Sequence, residues 1–264
     1  MKKSKILVPA VALLALSTAA ATTGTVAWFT TNTTVTANYL TAAIKSSQDL
    51  RISDTFPSYS WTTSLSWNKV KNGLEPVTPV AGSLNNVSTI LTDKTGVGVA
   101  LTADPIFLTP DLEHNAVNAN NGQATTAVKT GDNSANYKVV GEETAYITED
   151  FALKYEGSKL NGQEVVLTET VKGTVTFTGG GREIDKALRL GVYEVTDQKF
   201  VVYKVATAVA STYTVNLNDI TLTSGTPKDY KVFIYYEGTD EACKNANAVT
   251  NPLKAAFTFA LASA

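Results

Sequence analysis

The sequence predicts an all-β protein, an antiparallel jelly-roll-like β-sandwich with long loop insertions, preceded by a cleavable signal peptide. Three observations carry this. Short stretches alternating apolar and polar residues recur from residue 40 onward, separated by Gly, Pro, Asn and Asp. No stretch of the chain beyond the leader holds a helical repeat longer than a turn or two. Thr, Ser, Asn, Val and Ala dominate a composition with only 17% charged residues, a balance more common in extracellular β-proteins than in cytosolic enzymes.

The leader has three parts. Lys2, Lys3 and Lys5 give a positive start, residues 6–16 an unbroken apolar core, and residues 17–27 a small-residue run closing on Thr25-Val26-Ala27. That is the layout of a secretory signal. A spanning helix needs roughly 20 apolar residues, and this core has 11 before Ser17 interrupts it. Residues 1–27 are therefore read as signal peptide, cut between Ala27 and Trp28. Ala19-Ala20-Ala21 is a competing cut.

Trp28-Phe29-Thr30-Thr31-Asn32-Thr33-Thr34-Val35-Thr36-Ala37 follows directly and is crowded with residues that favour extended chain. Its apolar positions fall first on odd numbers (Val35, Ala37, Tyr39) and then on even ones (Leu40, Ala42, Ile44). Strand side chains alternate faces, so the change of phase marks a bulge or break near Tyr39. Residues 28–39 are taken as an N-terminal arm, and residues 40–264 as a single sandwich domain.

Loss of Lys2, Lys3 and Lys5 leaves 19 cations against 24 acids, a mature net charge of about −5. A chain of that sign with no basic run is a poor ligand for nucleic acid or for an anionic membrane surface. Its one cysteine, Cys243, allows no disulfide within the chain, so stability rests on the core or on neighbouring copies.

Taken in order, residues 49–53 form a short strand and residues 59–67 a longer one. Residues 69–82, with Pro76, Pro79 and two glycines, read as loop. Residues 87–91 and 97–101 read as strands. Residues 111–136, where Asn115, Asn118, Asn120, Asn121 and Gly122 crowd together, are too long for an ordinary connection and read as an exposed insertion. Phe151, Leu153 and Tyr155 alternate with Ala152, Lys154 and Glu156 as in a half-buried strand. Residues 165–168 and 171–177 suggest a hairpin, and Gly179-Gly180-Gly181 a sharp turn. Residues 183–188 allow one helical turn before Leu188, Leu190 and Val192 argue for strand. Strands at 200–205, 213–217, 230–236 and 253–261 complete the set; the last places Leu253, Ala255, Phe257, Phe259 and Leu261 on one face.

The run Thr25-Val26-Ala27-Trp28-Phe29-Thr30 behind a lysine-led apolar core resembles the export signal of proteins processed by SipW-type signal peptidases, the group containing TasA and camelysin. Leu50-Arg51-Ile52-Ser53 with Trp61-Thr62-Thr63, and residues 232–243 leading to a final strand, are similar to patterns in the same group. The resemblance covers both ends of the chain and hardly the middle. It implies a secreted jelly-roll matrix subunit that polymerises head to tail, the N-terminal strand of one copy entering the sheet of the next; that the chain is not an enzyme is read from its own residues, below. Carried over, the donor strand is residues 28–38, with Trp28 or Phe29, Val35 and Ala37 as its buried side chains. The arm also admits the simpler reading that it folds back as a strand of its own domain. Further partners on the polymer reading are polysaccharide or an accessory matrix protein.

Chemistry is sparse. A zinc protease site needs two histidines one helical turn apart and a glutamate, and the chain has a single histidine, His114, within Pro110-Asp111-Leu112-Glu113-His114-Asn115. Gly179-Gly180-Gly181-Arg182 is a faint phosphate loop without the Gly-Lys-Ser/Thr ending. Glu237, Asp240 and Glu241, or Asp132 with Asn133 and Asn136, offer oxygen ligands for calcium but match no loop spacing. No cofactor is expected. Trp61 and Trp67, with Tyr59 and Tyr235-Tyr236, supply the rival function: exposed aromatics on a sandwich stack against sugars, as in a carbohydrate-binding module or adhesin. Trp61 and Trp67 would share a face if one strand carried both. The core reading competes, since large aromatics supply much of a sandwich's buried area.

Overall fold

The computed structural model describes residues 36–44, 49–72, 74–91, 96–111, 127–142, 145–157, 159–160, 163–164, 166–243 and 253–262. They form eighteen strands and one short helix. The strands are β1 (Thr36–Ile44), β2 (Leu50–Ser53), β3 (Ser64–Asn72), β4 (Thr78–Ser83), β5 (Asn86–Ile90), β6 (Gly98–Ala100), β7 (Ile106–Pro110), β8 (Tyr137–Val140) and β9 (Tyr146–Tyr155). They continue with β10 (Lys159–Leu160), β11 (Gln163–Glu164), β12 (Thr168–Thr178), β13 (Leu188–Glu194), β14 (Lys199–Lys204), β15 (Thr212–Asn216), β16 (Ile220–Thr223), β17 (Lys228–Tyr236) and β18 (Leu253–Leu261). A 3-10 turn, Glu183–Ala187, precedes β13.

Two large sheets make the sandwich. The first has the order β15-β12-β18-β1-β3, with β16 alongside β12, and the second β2-β9-β17-β13-β14-β6. Every pairing is antiparallel except β1 with β18, which is parallel. The alternation read from residues 151–155 and 253–261 is what joins them. Phe151, Leu153 and Tyr155 of β9 and Tyr230, Val232 and Ile234 of β17 meet Val171, Val175 and Phe177 of β12 and Phe257 and Phe259 of β18 in one buried core. The Phe151 ring lies 5.2 Å from Tyr230 and 5.4 Å from Phe259, at the offset and tilted spacings that aromatic pairs prefer.

A third layer is present. Strands β5-β4-β7-β8 form a four-stranded sheet, absent from the two-layer expectation. It covers the other face of the second sheet, where Tyr193, Phe200, Val202, Phe233 and Tyr235 pack against Val77, Leu91, Leu101 and Phe107. Buried on both faces, β17 loses alternation over its last five residues, all of them buried. Phe107 and its neighbour Leu108 point to opposite faces of β7, and on the far side Leu108 joins Val80, Val87, Val128 and Tyr137 in a smaller core.

Several expectations are corrected. Residues 69–82 are not one loop: β3 runs to Asn72 and β4 starts at Thr78. Pro79 lies inside β4, where it supplies no N–H to the ladder while its carbonyl accepts the N–H of Leu91 at 2.9 Å. Residues 168–177 hold no hairpin turn, because Thr168 and residues 171–177 lie in one strand, β12, of 11 residues; Val165 lies outside the described residues. The insertion at 111–136 is not wholly exposed. Val128 is buried, and the side chain of Asn133 is held by the backbone of Lys129 and Gly131. The bulge expected near Tyr39 is present as a register shift between Asn38 and Leu40, but β1 passes through it rather than breaking.

Candidate functional site

The N-terminal strand is an interior member of its own sheet. Thr36 lies opposite Asn72 of β3, and Ala37 opposite Lys71 of β3 on one side and Leu253 of β18 on the other. Ala37 and Asn38, assigned above to a free arm, therefore belong to the resident strand, and the boundary moves from 39 to 35. A bulge absorbs the phase change without ending the hydrogen-bond ladder, which is why the parity argument placed the break too late. Ala27, Trp28, Phe29 and Val35 lie outside the described residues.

Beyond β1 the sheet ends in β3, nine residues long and paired along one side only among the described residues. Such an edge presents a row of N–H and C=O groups able to take another strand. Lys69 and Lys71 within it are the kind of residue that discourages indiscriminate pairing.

The aromatic residues separate. Tyr235 and Tyr236 are core. Trp67 sits in β3 opposite Leu40, while Trp61 precedes the strand, so no one strand carries both and the shared face is lost. The side chain of Trp67 lies outside the described residues. Trp61 instead belongs to the loop joining β2 to β3, pinned where Ile52 and Thr62 exchange backbone hydrogen bonds of 2.9 and 2.8 Å. There it stacks on Tyr59, ring centroids 4.8 Å apart and 16° between planes. The Tyr59 hydroxyl donates to Asp229 Oδ1 at 3.2 Å, and the Lys154 ammonium lies 4.8 Å from the Trp61 ring centre. Partial burial, then the Asp229 charge, pushes the Tyr59 phenol up. Partial burial likewise raises the Asp229 carboxyl, opposed by the Tyr59 hydrogen bond. The pair is half-buried, and Tyr59 and Lys154 take up ring surface that a sugar would need.

The remaining candidates turn inward. Gly181 N–H and Arg182 N–H both donate to Asp185 Oδ2 at 3.0 Å, so the glycine turn uses its amides on an internal carboxylate, which rules out the phosphate-loop reading. Asp185 also accepts from Tyr213 and forms an ion pair of 2.7 Å with buried Arg182. Glu237, Asp240 and Glu241 do not converge on a cation. Glu237 is buried, Asp240 pairs with Arg189 at 2.6 Å and Glu241 is exposed. Asp132 Oδ1 accepts from Ser134 N–H and hydroxyl, closing a local turn. No group of three or more His, Cys, Asp or Glu side chains among the described residues is placed to hold a metal ion. His114 lies outside them. Cys243 is fully buried and burial pushes its thiol up, which removes it as a surface cross-link.

No signal in the sequence marked Glu237 or Arg182 as buried. Glu237 ends an apolar run, where a charge ordinarily indicates a solvated end, and Arg182 sits among glycines and acids, where it reads as a solvated turn. Among the described residues, no helix is long and apolar enough to cross a membrane. No protein-family model, no curated protein and no solved structure matches the chain.

Proposed function

We propose that the chain is a secreted structural protein of the cell surface or extracellular matrix, similar in role to the TasA and camelysin group, which assembles head to tail by donating its N-terminal segment to a neighbouring copy. One observation carries this: among the described residues the first sheet ends in a nine-residue strand, β3, with no partner on its outer side, while the same sheet's interior strand β1 begins at Thr36, directly after eight β-prone residues, 28–35. A segment to be added and an edge to receive it occur in one molecule. Main-chain hydrogen bonds supply affinity in such additions and alternate side chains supply register. Trp28, Phe29 and Val35 are the side chains available for that. A head-to-tail contact does not close on itself, so it propagates as a filament.

The test compares the mature chain, residues 28–264, with one beginning at Thr36. Electron microscopy of the first should show filaments of uniform width, and the second should remain folded as single particles. Filaments of the same width from the chain beginning at Thr36, or a mature chain that stays a lone particle at high concentration, would overturn the assignment.

A second reading rests on the Tyr59–Trp61 stack, half-buried beside Asp229. It makes the protein a surface adhesin or sugar-binding module, with the Tyr59 ring as the remaining stacking surface. Retention on a polysaccharide resin should fall for Tyr59→Ala and Trp61→Ala if this is so. Unchanged retention removes it.

A further inference from the structure

The third sheet meets the second along a seam whose polar centre is Glu237. Val77, just before β4, donates its N–H to the Tyr236 carbonyl at 2.9 Å, and its own carbonyl accepts the Gly238 N–H at 3.0 Å. Between these bonds the Glu237 side chain is only 2% exposed. Its Oε1 accepts from the hydroxyl of Thr78, the first residue of β4, and from the N–H and hydroxyl of Thr239. Oε2 is buried with no hydrogen-bond partner among the described residues.

A neutral carboxyl tolerates one dry oxygen at modest cost, whereas a carboxylate spreads its charge over both and needs both bonded or wet. The surrounding groups do not meet that need. Arg189 of β13 attracts the charge but is already paired with Asp240 at 2.6 Å, and burial pushes up the Tyr137 hydroxyl of β8 and the Cys243 thiol, so both stay neutral. We infer that ionisation of Glu237 loosens this seam, so that β5-β4-β7-β8 opens from the second sheet as a unit and pH sets how often the aromatic surface between them is bared.

That surface is Tyr193, Phe200, Phe233 and Tyr235 of the second sheet, with the Phe107 ring of β7 5.3 Å from both Phe233 and Tyr235. The core between the two large sheets lies on the other face of the second sheet and need not open with it. Such local openings occur in contiguous units at a lower free energy than global unfolding. Water reaching Glu237 in the open form returns it to the ordinary carboxylate value of about 4.3, whereas burial raises it in the closed form. The opening constant is therefore flat below the ordinary value. It rises by up to about tenfold per pH unit above it and levels off once the closed form is itself ionised.

Hydrogen–deuterium exchange of the mature chain, read by mass spectrometry from pH 5 to 8 and corrected for intrinsic amide rates, separates the sheets. Peptides from β4 and β7 should lose about tenfold or more in protection across this range, while those from β12 and β18 keep theirs. Glu237→Gln, which cannot ionise, should hold β4 and β7 protected throughout. Protection of β4 and β7 that does not change with pH, or that falls equally in Glu237→Gln, overturns the inference. So does a parallel loss in β12 and β18, which marks global unfolding. Should Glu237→Gln fail to fold, the native profile decides alone: a loss confined to β4 and β7 supports the inference, and a flat or chain-wide profile overturns it.

Discussion

The hydroxyl of Thr78, at the start of β4, donates to Oε1 of Glu237, the residue after β17, over 2.5 Å in a fully buried site. This bond ties the third sheet to the sandwich. Backbone hydrogen bonds of 2.9 and 3.0 Å flank it, from Val77 to the Tyr236 carbonyl and from Gly238 to the Val77 carbonyl. Thr239 adds its own N–H and hydroxyl to Glu237 Oε1, whereas Oε2 is buried with no hydrogen-bond partner among the described residues.

The clasp should make stability depend on pH. Burial dominates and pushes the Glu237 carboxyl up, against the opposing pull of Thr78, Thr239 and the Arg189 charge. Tyr137 of β8 and Cys243 also face this charge. A carboxyl whose folded value is raised favours the folded state while protonated. Its contribution is complete below the ordinary carboxylate value of about 4.3 and is lost as pH rises through the folded value. Urea midpoints measured from pH 5 to 8 should therefore fall less with rising pH in Glu237→Gln than in the native chain. Equal slopes would show that Glu237 does not titrate in this range. Glu237→Ala should cost about 1–3 kcal/mol near pH 5, because it leaves the buried Thr78 hydroxyl unpaired, and less as pH rises and the native chain loses the protonated carboxyl's contribution.

Asp185 is the counter-charge that keeps Arg182 in the core. Asp185→Ala leaves a buried guanidinium without its carboxylate and should cost about 3–5 kcal/mol in urea unfolding. The double change Arg182→Met with Asp185→Leu removes both charges and should recover a good part of that loss. A double variant as unstable as the single one would show that the ion pair itself, rather than the orphaned charge, sets the cost.

Gly191 in β13 is a close-packing position. A Cβ there would stand 2.6 Å from Phe200 Cζ, inside the core between the second and third sheets. Gly191→Ala should lose about 1–3 kcal/mol by overpacking, and Phe200→Leu in the same chain should relieve part of it. Thermal midpoints of the single and double variants decide the matter.

Truncation distinguishes the strand from the segment before it. A chain beginning at Lys45 lacks β1, which lies between β18 and β3, and should lose its cooperative unfolding transition. A chain beginning at Thr36 should keep it. Near-ultraviolet circular dichroism during a thermal ramp reads both.

Much of the sandwich was legible because alternation is a direct imprint of a sheet with one face in water. Residues 253–261 announced β18 and its inward Phe257 and Phe259, and the phase change at Tyr39 announced the bulge in β1. Residues 183–192 read correctly as one helical turn followed by strand. Of the third sheet only β5 was legible, as the strand read at residues 87–91, and the sheet itself was not. Its presence removes the solvent face of β17, and with it the period on which recognition depends, while Pro76 and Pro79 disguised the start of β4 as loop.

Local composition thus settled which segments extend, which face of most strands is apolar, and that Thr and Ser cover the outside. Only the tertiary structure decided which strands neighbour one another. It set β1 between β18 and β3, left β3 at the edge of the sheet among the described residues, and enclosed Glu237 and the Arg182–Asp185 pair. The physical reason is that pairing partners and buried charges are fixed by contacts far apart in the chain, such as Thr78 with Glu237, whose geometry no local pattern encodes.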